Sequence, residues 1–191
     1  MNHLSYIEGK TFEAKNYTQT PLEKGEYENC IFSNCEFSDC NLSKFKFIEC
    51  EFKDCNLSLV KLNQTMVQDT HFQNCKMLGL QFDHCNSFGL SFRFEGCQLD
   101  HSSFYQLNLK KTLFKDSELV EADFGECDLT EAVFDSCNLS KAIFDRTILE
   151  KADLRTASNY SIDPDTNRIK KAKFSHSGVT GLLHKYDIII D

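Results

Sequence analysis

The chain has 191 residues, a formal net charge of -8, 17 Phe, 10 Cys and no Trp. Its acidic balance argues against general binding to nucleic acid or to membrane surfaces, and the many Phe residues exclude an intrinsically disordered chain. The length fits a single domain. No stretch is apolar enough to span a bilayer. The N-terminal sequence MNHLSYIEGK lacks the basic start and apolar run of a signal peptide, so we expect a cytoplasmic protein.

A repeat with a period of five begins at Leu22, after a lead-in or cap of residues 1–21 that the sequence assigns to neither a strand nor a loop. A large apolar residue, here called the centre, occupies nearly every fifth position as far as residue 157, and a small residue such as Cys, Ser, Thr or Ala lies two positions before most centres. This period fits neither a helix nor a strand. Two inward and three outward side chains per unit require a corner in each unit, so stacked coils would share one core as a solenoid.

Four units, or twenty residues, are expected in each coil. Phe32, Phe52, Phe72 and Phe92 recur every twenty residues. From Phe94 onward the centres alternate between Phe and Leu, so only an even number of units per coil stacks Phe on Phe and Leu on Leu. Opposite charges also recur at twenty and would face each other on strands about 4.8 Å apart, where each pair contributes about 0.2–1 kcal/mol. They are the series Glu95, Lys115, Asp135 and Arg155, and the pairs Glu121 with Lys141, Glu126 with Arg146, and Glu131 with Lys151.

The repeat shifts by two residues between the centres Phe92 and Phe94. Gly89 and Gly96 flank the shift, and Gly adopts backbone conformations that other residues avoid. We therefore predict a bulge or kink at residues 92–94, within an otherwise continuous repeat.

The ten Cys residues follow the repeat rather than a disulfide or metal-binding pattern. At their positions a buried thiol acts as a small apolar side chain, and no two of them have the close spacing of a zinc site. A catalytic Cys would need an exposed thiolate, and the sequence contains no Gly-rich phosphate loop. We expect no enzyme activity, no cofactor and no metal site. The residues are Cys30, Cys35, Cys40, Cys50, Cys55, Cys75, Cys85, Cys97, Cys127 and Cys137.

Residues 116–135, DSELVEADFGECDLTEAVFD, contain many carboxylates and no Lys or Arg. One interpretation is an anionic surface that imitates DNA phosphates and docks in a basic groove. The other is an ordinary solvated belt, because twenty residues form one full coil and cations of the next coil lie over several of these acids. The carboxylates without a basic neighbour in the following coil are the candidate partner-binding residues: Asp116, Glu118, Asp123 and Asp128.

Residues 158–191 lack the repeat and are interpreted as a C-terminal capping and dimerisation segment. Ser177 is a suitable N-cap, and the apolar residues after it fall on one face of a short helix. Such a helix is marginal alone, and the last coil of a solenoid needs a cover. A monomer's cap and a two-fold interface both meet this need. For the interface, the candidate residues are Val179, Leu182, Leu183, Tyr186, Ile188 and Ile190.

The pattern of Ala or Cys, then any residue, then Leu or Phe and two further residues resembles the pentapeptide-repeat family over residues 22–157. This resemblance implies an all-β solenoid, a right-handed quadrilateral β-helix with a short C-terminal helix. Asp163, Pro164 and residues 167–169, together with CNSFGL at 85–90, are similar to bacterial quinolone-resistance (Qnr) and microcin B17 immunity (McbG) proteins. Qnr proteins carry projecting loops between coils, so this loop-poor chain is closer to the microcin immunity type.

The resemblance also implies a function. In those proteins the tail joins two copies into an end-to-end homodimer, which imitates a DNA rod and protects DNA gyrase or topoisomerase IV from poisons of the quinolone or microcin type. It implies no direct binding to nucleic acid or membranes. The alternative, from a different class, is a non-catalytic structural or interaction scaffold with an unknown partner, which would use the large flat faces for docking.

Overall fold

A computed structural model describes residues 5–189, which form a column of short parallel strands. A typical strand places one buried centre between two outward side chains. The strands are β1 (Ser5–Glu8), β2 (Thr11–Glu13), β3 (Gly25–Glu28), β4 (Ile31–Ser33), β5 (Lys46–Ile48), β6 (Glu51–Lys53), β7 (Met66–Gln68), β8 (Thr70–Gln73), β9 (Phe92–Glu95), β10 (Leu113–Lys115), β11 (Val133–Asp135), β12 (Asp153–Leu154) and β13 (Lys173–Phe174). The described residues also form 3-10 helices at Phe82–His84, Gly178–Leu182 and His184–Tyr186.

Two parallel sheets run along the column. One whole side, here the nine-stranded face, has the order β13-β12-β11-β10-β9-β8-β6-β4-β2. The N-terminal part of another side, the four-stranded face, has the order β1-β3-β5-β7. Facing residues lie twenty positions apart, as in Phe32 with Phe52 and Phe114 with Phe134. The coil therefore contains four units, and the predicted all-β solenoid is confirmed.

Isolated parallel bridges continue the four-stranded face and mark the two remaining sides. Beyond the strands, the four-stranded face continues through Asn108, Asp128, Ile148 and Arg168. A third side, the Glu118 face, follows the series Gln98, Glu118 and Asn138. The fourth side, the Asp123 face, follows the series Gln81, Ser103, Asp123 and Ile143.

Aromatic rings stack like on like inside the column, as the alternating centres predict. The ring centroids of Phe94 and Phe114 lie 5.4 Å apart, and those of Phe114 and Phe134 lie 4.9 Å apart. Phe104 and Phe124 form a neighbouring stack at 5.0 Å, and Phe104 meets Phe114 edge-on at 5.8 Å. Stacked and edge-to-face pairs are both favourable, so the two aromatic columns support each other.

The small inward positions hold free thiols, as predicted. Nine of the ten Cys residues are buried and Cys40 is half-buried. The Cys50 Sγ donates to the Tyr27 carbonyl at 3.3 Å, and the Cys75 Sγ donates to the Phe52 carbonyl at the same distance. Burial raises the pKa of the Cys50 thiol to about 12. These thiols therefore satisfy carbonyls of the preceding coil and stay protonated at neutral pH.

The corners between units use left-handed backbone at residues other than Gly. Asn34, Glu121 and Lys141, each two positions after a centre, have φ values of 53°, 57° and 58°. Such conformations are unfavourable for side chains with a Cβ. They persist because the next coil accepts the corner N–H, as when Glu121 N donates to the Ser140 carbonyl at 2.9 Å.

The described part of the N-terminal segment adds a further coil, which answers the question that the sequence left open. β1 pairs with β3 and β2 pairs with β4. The rings of Phe12 and Phe32 stack at 4.8 Å, and those of Tyr17 and Phe37 stack at 4.6 Å. These contacts cover the first predicted repeat from below.

The predicted register shift is present, but the bulge lies at residues 86–91, just before the expected position. β8 pairs with β9 at an offset of 22, with Thr70 opposite Phe92. Gly89 within the bulge has a φ of 69°, whereas Gly96 occupies an ordinary corner with a φ of 65°. Ser87, the expected centre, is exposed. The bulge therefore replaces the strand that would follow β7 on the four-stranded face.

The ring of Phe92 fills the space that the bulge leaves in the core. Phe92 pairs with Thr70, which stands in a column of small residues, yet it is only 7% exposed. Its ring lies 5.3 Å from Phe82, 5.0 Å from Phe94 and 6.3 Å from Phe104. A large residue at a small position thus keeps the interior packed where Ser87 points outward.

The short C-terminal helix consists of 3-10 turns, and the predicted N-cap is not formed. Ser177 makes no capping hydrogen bond. Instead the Ser175 Oγ accepts from the Gly178 N–H at 2.9 Å. Gly181 lies so close to the last coil that a Cβ there would stand 2.4 Å from the Tyr160 carbonyl oxygen. This close approach to the column favours the tight 3-10 turns over a regular α-helix.

Two contacts hold this C-terminal segment on the end of the column. The Ile162 N–H donates to the Gly181 carbonyl at 3.0 Å. Lys185 pairs with Asp163 at 2.6 Å and also with Asp165, which raises the pKa of Lys185 above its ordinary value. The segment therefore covers the last coil, as a solenoid end requires.

Candidate interaction surface

The four candidate acids lie on different sides of the column. Asp116 occupies the corner after Phe114 on the nine-stranded face. Glu118 and Asp123 lie on the two faces that carry their names, and Asp128 lies on the continuation of the four-stranded face. They form a belt, as the sequence predicts, and the structure does not bring them into one patch.

Asp128 is the most closely ion-paired of the four candidate acids. Lys110 of the preceding coil lies 3.1 Å from it, although no cation follows it in the next coil. Burial alone would raise the pKa of Asp128, but the Thr130 hydrogen bonds and the Lys110 ammonium outweigh burial and lower that pKa. Asp128 is therefore the weakest candidate for contact with a cationic partner.

The other three candidates have mostly neutral partners. Glu118 accepts from the Asn138 side chain at 2.7 Å. Asp123 accepts from the Gly125 N–H at 2.8 Å, in a local turn. Asp116 lies 3.9 Å from Lys115, which itself binds Glu95 at 2.7 Å. Asp116 and Glu118 are exposed to solvent, and Asp123 is half-buried.

Of the predicted ion-pair rungs, Glu95–Lys115 forms at 2.7 Å, and three more form between the acidic segment and the next coil. They lower the pKa of the Glu121 and Glu131 carboxyls, each mainly through its Lys partner. With Asp128 included, four of the eight carboxylates in residues 116–135 are therefore neutralised by a cation of a neighbouring coil. The pairs are Glu121–Lys141 at 3.1 Å, Glu126–Arg146 at 2.7 Å and Glu131–Lys151 at 2.8 Å.

The rung between Asp135 and Arg155 is not formed. Arg155 binds Asp153 within its own unit at 2.7 Å, and Asp135 accepts from the Thr156 hydroxyl at 2.9 Å. The guanidinium of Arg155 holds the pKa of the Asp153 carboxyl well below its usual range, at about 2. Asp135 therefore joins the acids that have no cationic partner among residues 5–189.

Sequence reasoning missed Asp100, which extends the acidic surface below the belt. It accepts from the Val120 N–H at 3.0 Å and stands on the Glu118 face, one coil below Glu118 and Glu121. It lies outside the acid-rich segment 116–135, although its twenty-residue spacing from Val120 places it on the same face. Asp100, Glu118 and Glu121 then share one side of the column.

The candidate dimer residues separate into two groups. Leu182 packs against the core of the column, and Leu183 is half-buried. Val179 is 41% exposed, and Tyr186 and Ile188 are each 56% exposed. Ile190 lies outside the described residues. The solvent-facing apolar surface at this end therefore consists of Val179, Tyr186, Ile188 and Ile189, which is 91% exposed.

Other kinds of site find little support within the described part of the chain. No cluster of three or more His, Cys, Asp or Glu side chains between residues 5 and 189 could hold a metal ion. Over the same range, no helix has the length and apolar character that crossing a membrane requires.

Comparisons with known proteins identify the family and the fold of this chain. A family model described as a pentapeptide repeat region matches residues 25–93 and 91–163. No curated protein sequence matches. Among solved structures, the trypsin-treated form of QnrB1, a plasmid-mediated fluoroquinolone resistance protein, has a TM-score of 0.62 at 16% identity and covers 99% of both chains. Full-length QnrB1 has a TM-score of 0.52 at 17% identity, covering 96% of this chain and 100% of that one. HetL, from the cyanobacterium Nostoc, has a TM-score of 0.40 at 14% identity, over 91% and 88%.

Proposed function

Because the chain belongs to the pentapeptide-repeat family, we propose that it binds a type II topoisomerase, DNA gyrase or topoisomerase IV, as a DNA mimic. In this role it would protect the enzyme from a poison of the quinolone or microcin type. It would act without catalysis, in the cytoplasm, where cell fractionation should recover it. The comparison with QnrB1 supports the fold on which this proposal depends.

The observation that carries the proposal is a rod with unpaired acids on its surface. The nine-stranded sheet spans about 38 Å along the rod axis at about 4.8 Å per strand. Asp100, Glu118, Asp123 and Asp135 have no cationic partner among the described residues. DNA presents a regular row of negative charges to its binding proteins, so a rigid acidic rod can compete for the same basic groove. Electrostatic attraction would also speed association and make it sensitive to salt.

Supercoiling by purified gyrase is the direct test. We expect the protein to restore supercoiling in the presence of a quinolone or of microcin B17, and to have little effect without a poison. Replacing Glu118, Asp123 and Asp135 with the matching amides should weaken this protection, most strongly at low salt. No protection from either poison at saturating protein would reject the proposal.

We also propose that two copies join through the C-terminal segment. The apolar residues Val179, Tyr186 and Ile188 face solvent at the end of the rod, where a two-fold contact would bury them on both copies. Deleting residues 177–191 should halve the mass measured by light scattering, and Tyr186→Asp should do the same with the cap intact. Ile143→Asp is the matched control, because Ile143 is 50% exposed on the rod itself. An unchanged mass in both variants would contradict the dimer.

The second candidate function is a non-catalytic scaffold for another partner. The three ion-pair rungs favour it, because cations of the next coil neutralise Glu121, Glu126 and Glu131. A scaffold would bind its partner with little dependence on salt. Failure of both poison assays, with a stable and monodisperse protein, would favour this alternative.

A further inference from the structure

The bulge at residues 86–91 presents one aromatic ring to solvent. Phe88 is 80% exposed. By contrast, Phe82 and Phe94 on either side of it along the chain are buried to 1% and 0% exposure. The repeat does not require an aromatic residue at this position, because Phe92 already fills the interior beside the bulge. The exposed ring therefore has no packing role among the described residues.

The bulge is held rigid at both ends. At its start, the Asn86 side chain accepts from the Phe88 N–H at 3.0 Å. At its end, the Ser91 hydroxyl donates to Asp69 at 2.9 Å and accepts from the Asp69 N–H at 2.7 Å. Gly89 provides the left-handed backbone between them. A ring on such a support loses little conformational entropy when a partner covers it.

The two grooves that flank the bulge carry a small excess of cations, although the whole protein is acidic. The groove on one side of the bulge is lined by Lys44, Phe45, Lys46 and Met66 among others, with no carboxylate. The groove beside Ser91 and Phe92 contains Arg93 and a single carboxylate, Asp69. An ion pair with Glu26 at 2.7 Å engages Lys46, whereas Lys44 and Arg93 form none among residues 5–189. A basic DNA groove would therefore not attract this part of the rod.

We propose that Phe88 anchors a second contact with the topoisomerase, in an apolar pocket with an acidic rim outside the DNA groove. This inference rests on the proposed function, because it concerns the same partner. The acidic belt and the bulge then make two different contacts with the topoisomerase. The belt supplies salt-dependent attraction, and Phe88 supplies apolar burial at the centre of a small contact, as aromatic anchors do in protein interfaces.

Binding to purified gyrase, measured by surface plasmon resonance over a range of salt concentrations, tests the anchor. Phe88→Ala should weaken binding at least tenfold at every salt concentration and leave the slope of log Kd against log salt unchanged. Phe88→Leu should recover part of the loss, because an apolar side chain remains. Leu59→Ala is the matched control, since Leu59 is 62% exposed on another face and away from the acidic belt, and it should bind like the wild type.

The outcomes separate the two proposals. If the wild-type chain binds gyrase and topoisomerase IV with no measurable affinity, both proposals fail. If it binds and Phe88→Ala binds equally well, the anchor is overturned and the DNA-mimic function stands. A Phe88→Ala loss that disappears at high salt also overturns the anchor, because it would show that the bulge contributes charge rather than apolar burial. Circular dichroism and unfolding of Phe88→Ala should match the wild type.

Discussion

The two halves of the rod build the same coil from different chemistry. Residues 5–92 hold most of the thiols and carry strands on two faces. Residues 94–157 alternate Phe and Leu at the centres and bind neighbouring coils through ion pairs. The coil constrains only the inward volume and the hydrogen bonds between coils. Small positions and corners are therefore free to differ, and here they divide the molecule into a thiol-rich half and a charge-paired half.

The largest effect is expected from breaking an aromatic stack in the charge-paired half. Phe114 is fully buried between Phe94 and Phe134. Phe114→Ala should lower the free energy of unfolding by about 3–5 kcal/mol, because it removes a buried ring and leaves a cavity. Urea unfolding followed by circular dichroism would measure this loss. Phe88→Ala is the control and should change the stability by less than about 0.5 kcal/mol.

Alkaline pH should weaken the thiol-rich half more than the charge-paired half. Burial raises the pKa of Cys50 and Cys85 to about 12, and it does the same for Cys127 and Cys137 in the charge-paired half, whereas an unfolded thiol titrates at about 8.5. The halves differ in number, because the thiol-rich half has three further thiols with a raised pKa, Cys35, Cys40 and Cys75. A raised pKa means that the stabilisation is complete below the unfolded value and is lost as the pH rises towards 12. At pH 10 each such thiol should cost about 1–2 kcal/mol.

Hydrogen exchange measured at pH 8 and at pH 10 would locate this loss. The coils before Phe92 should lose protection first, and Cys50→Ala should reduce the pH dependence of unfolding. Equal loss of protection in both halves would contradict the expected difference.

A smaller effect is expected at the Asp153 carboxylate, near the end of the charge-paired half. Its pKa is lowered to about 2 by the Arg155 hydrogen bonds. A lowered pKa means that the stabilisation is present above about pH 4 and is lost as the pH falls towards 2. Asp153→Asn should lower the free energy of unfolding by about 1 kcal/mol at pH 7, after allowance for solvent screening.

Acid titration of the two proteins would check this sign. The wild type should lose part of its stability between about pH 4 and 2, and Asp153→Asn should lose less over that interval. Parallel acid profiles would show that Arg155 does not stabilise the carboxylate.

The smallest effect on stability is expected from the three exposed ion-pair rungs. Their removal should destabilise the protein slightly but strengthen its binding to gyrase. Replacing Lys141, Arg146 and Lys151 with Ala should slightly lower the melting temperature, since surface pairs are weak. It should also free Glu121, Glu126 and Glu131, and so strengthen gyrase binding and steepen its salt dependence. The control replaces Lys10, Lys15 and Lys24 with Ala, which changes the net charge equally in the thiol-rich half. Equal gains from both triple variants would point to net charge rather than to the belt.

Much of the fold could be predicted from the period of five. Phe32 and Phe52 stack as expected because a centre is inward in every coil, and its neighbours are set by counting twenty residues. The candidate site was predicted less completely. Asp128 was expected to lack a basic neighbour in the following coil, yet Lys110 of the preceding coil reaches it. Asp100 escaped notice because it lies outside the acid-rich segment 116–135.

The bulge is a second place where the sequence predicts the structure incompletely. The period of five makes Phe92 an inward centre and Phe88 an outward residue, but it does not show that Phe92 takes a small position, opposite Thr70. The structure places Phe92 in the core and Phe88 in solvent. Phe92 is inward because it begins β9 and pairs with Thr70 of the neighbouring strand β8.

By itself the sequence determined the coil length, most of the core residues and the inward position of most of the thiols. These follow from a pattern of side-chain volume that repeats many times, so that each coil reinforces the same answer. Only the tertiary structure decided the partner of each exposed charge, the direction of the bulge and the 3-10 form of the C-terminal segment. For the exposed charges the alternatives differ by about 1 kcal/mol or less. In all three places, contacts with neighbours in space select between the alternatives, as Gly181 against Tyr160 does in the C-terminal segment.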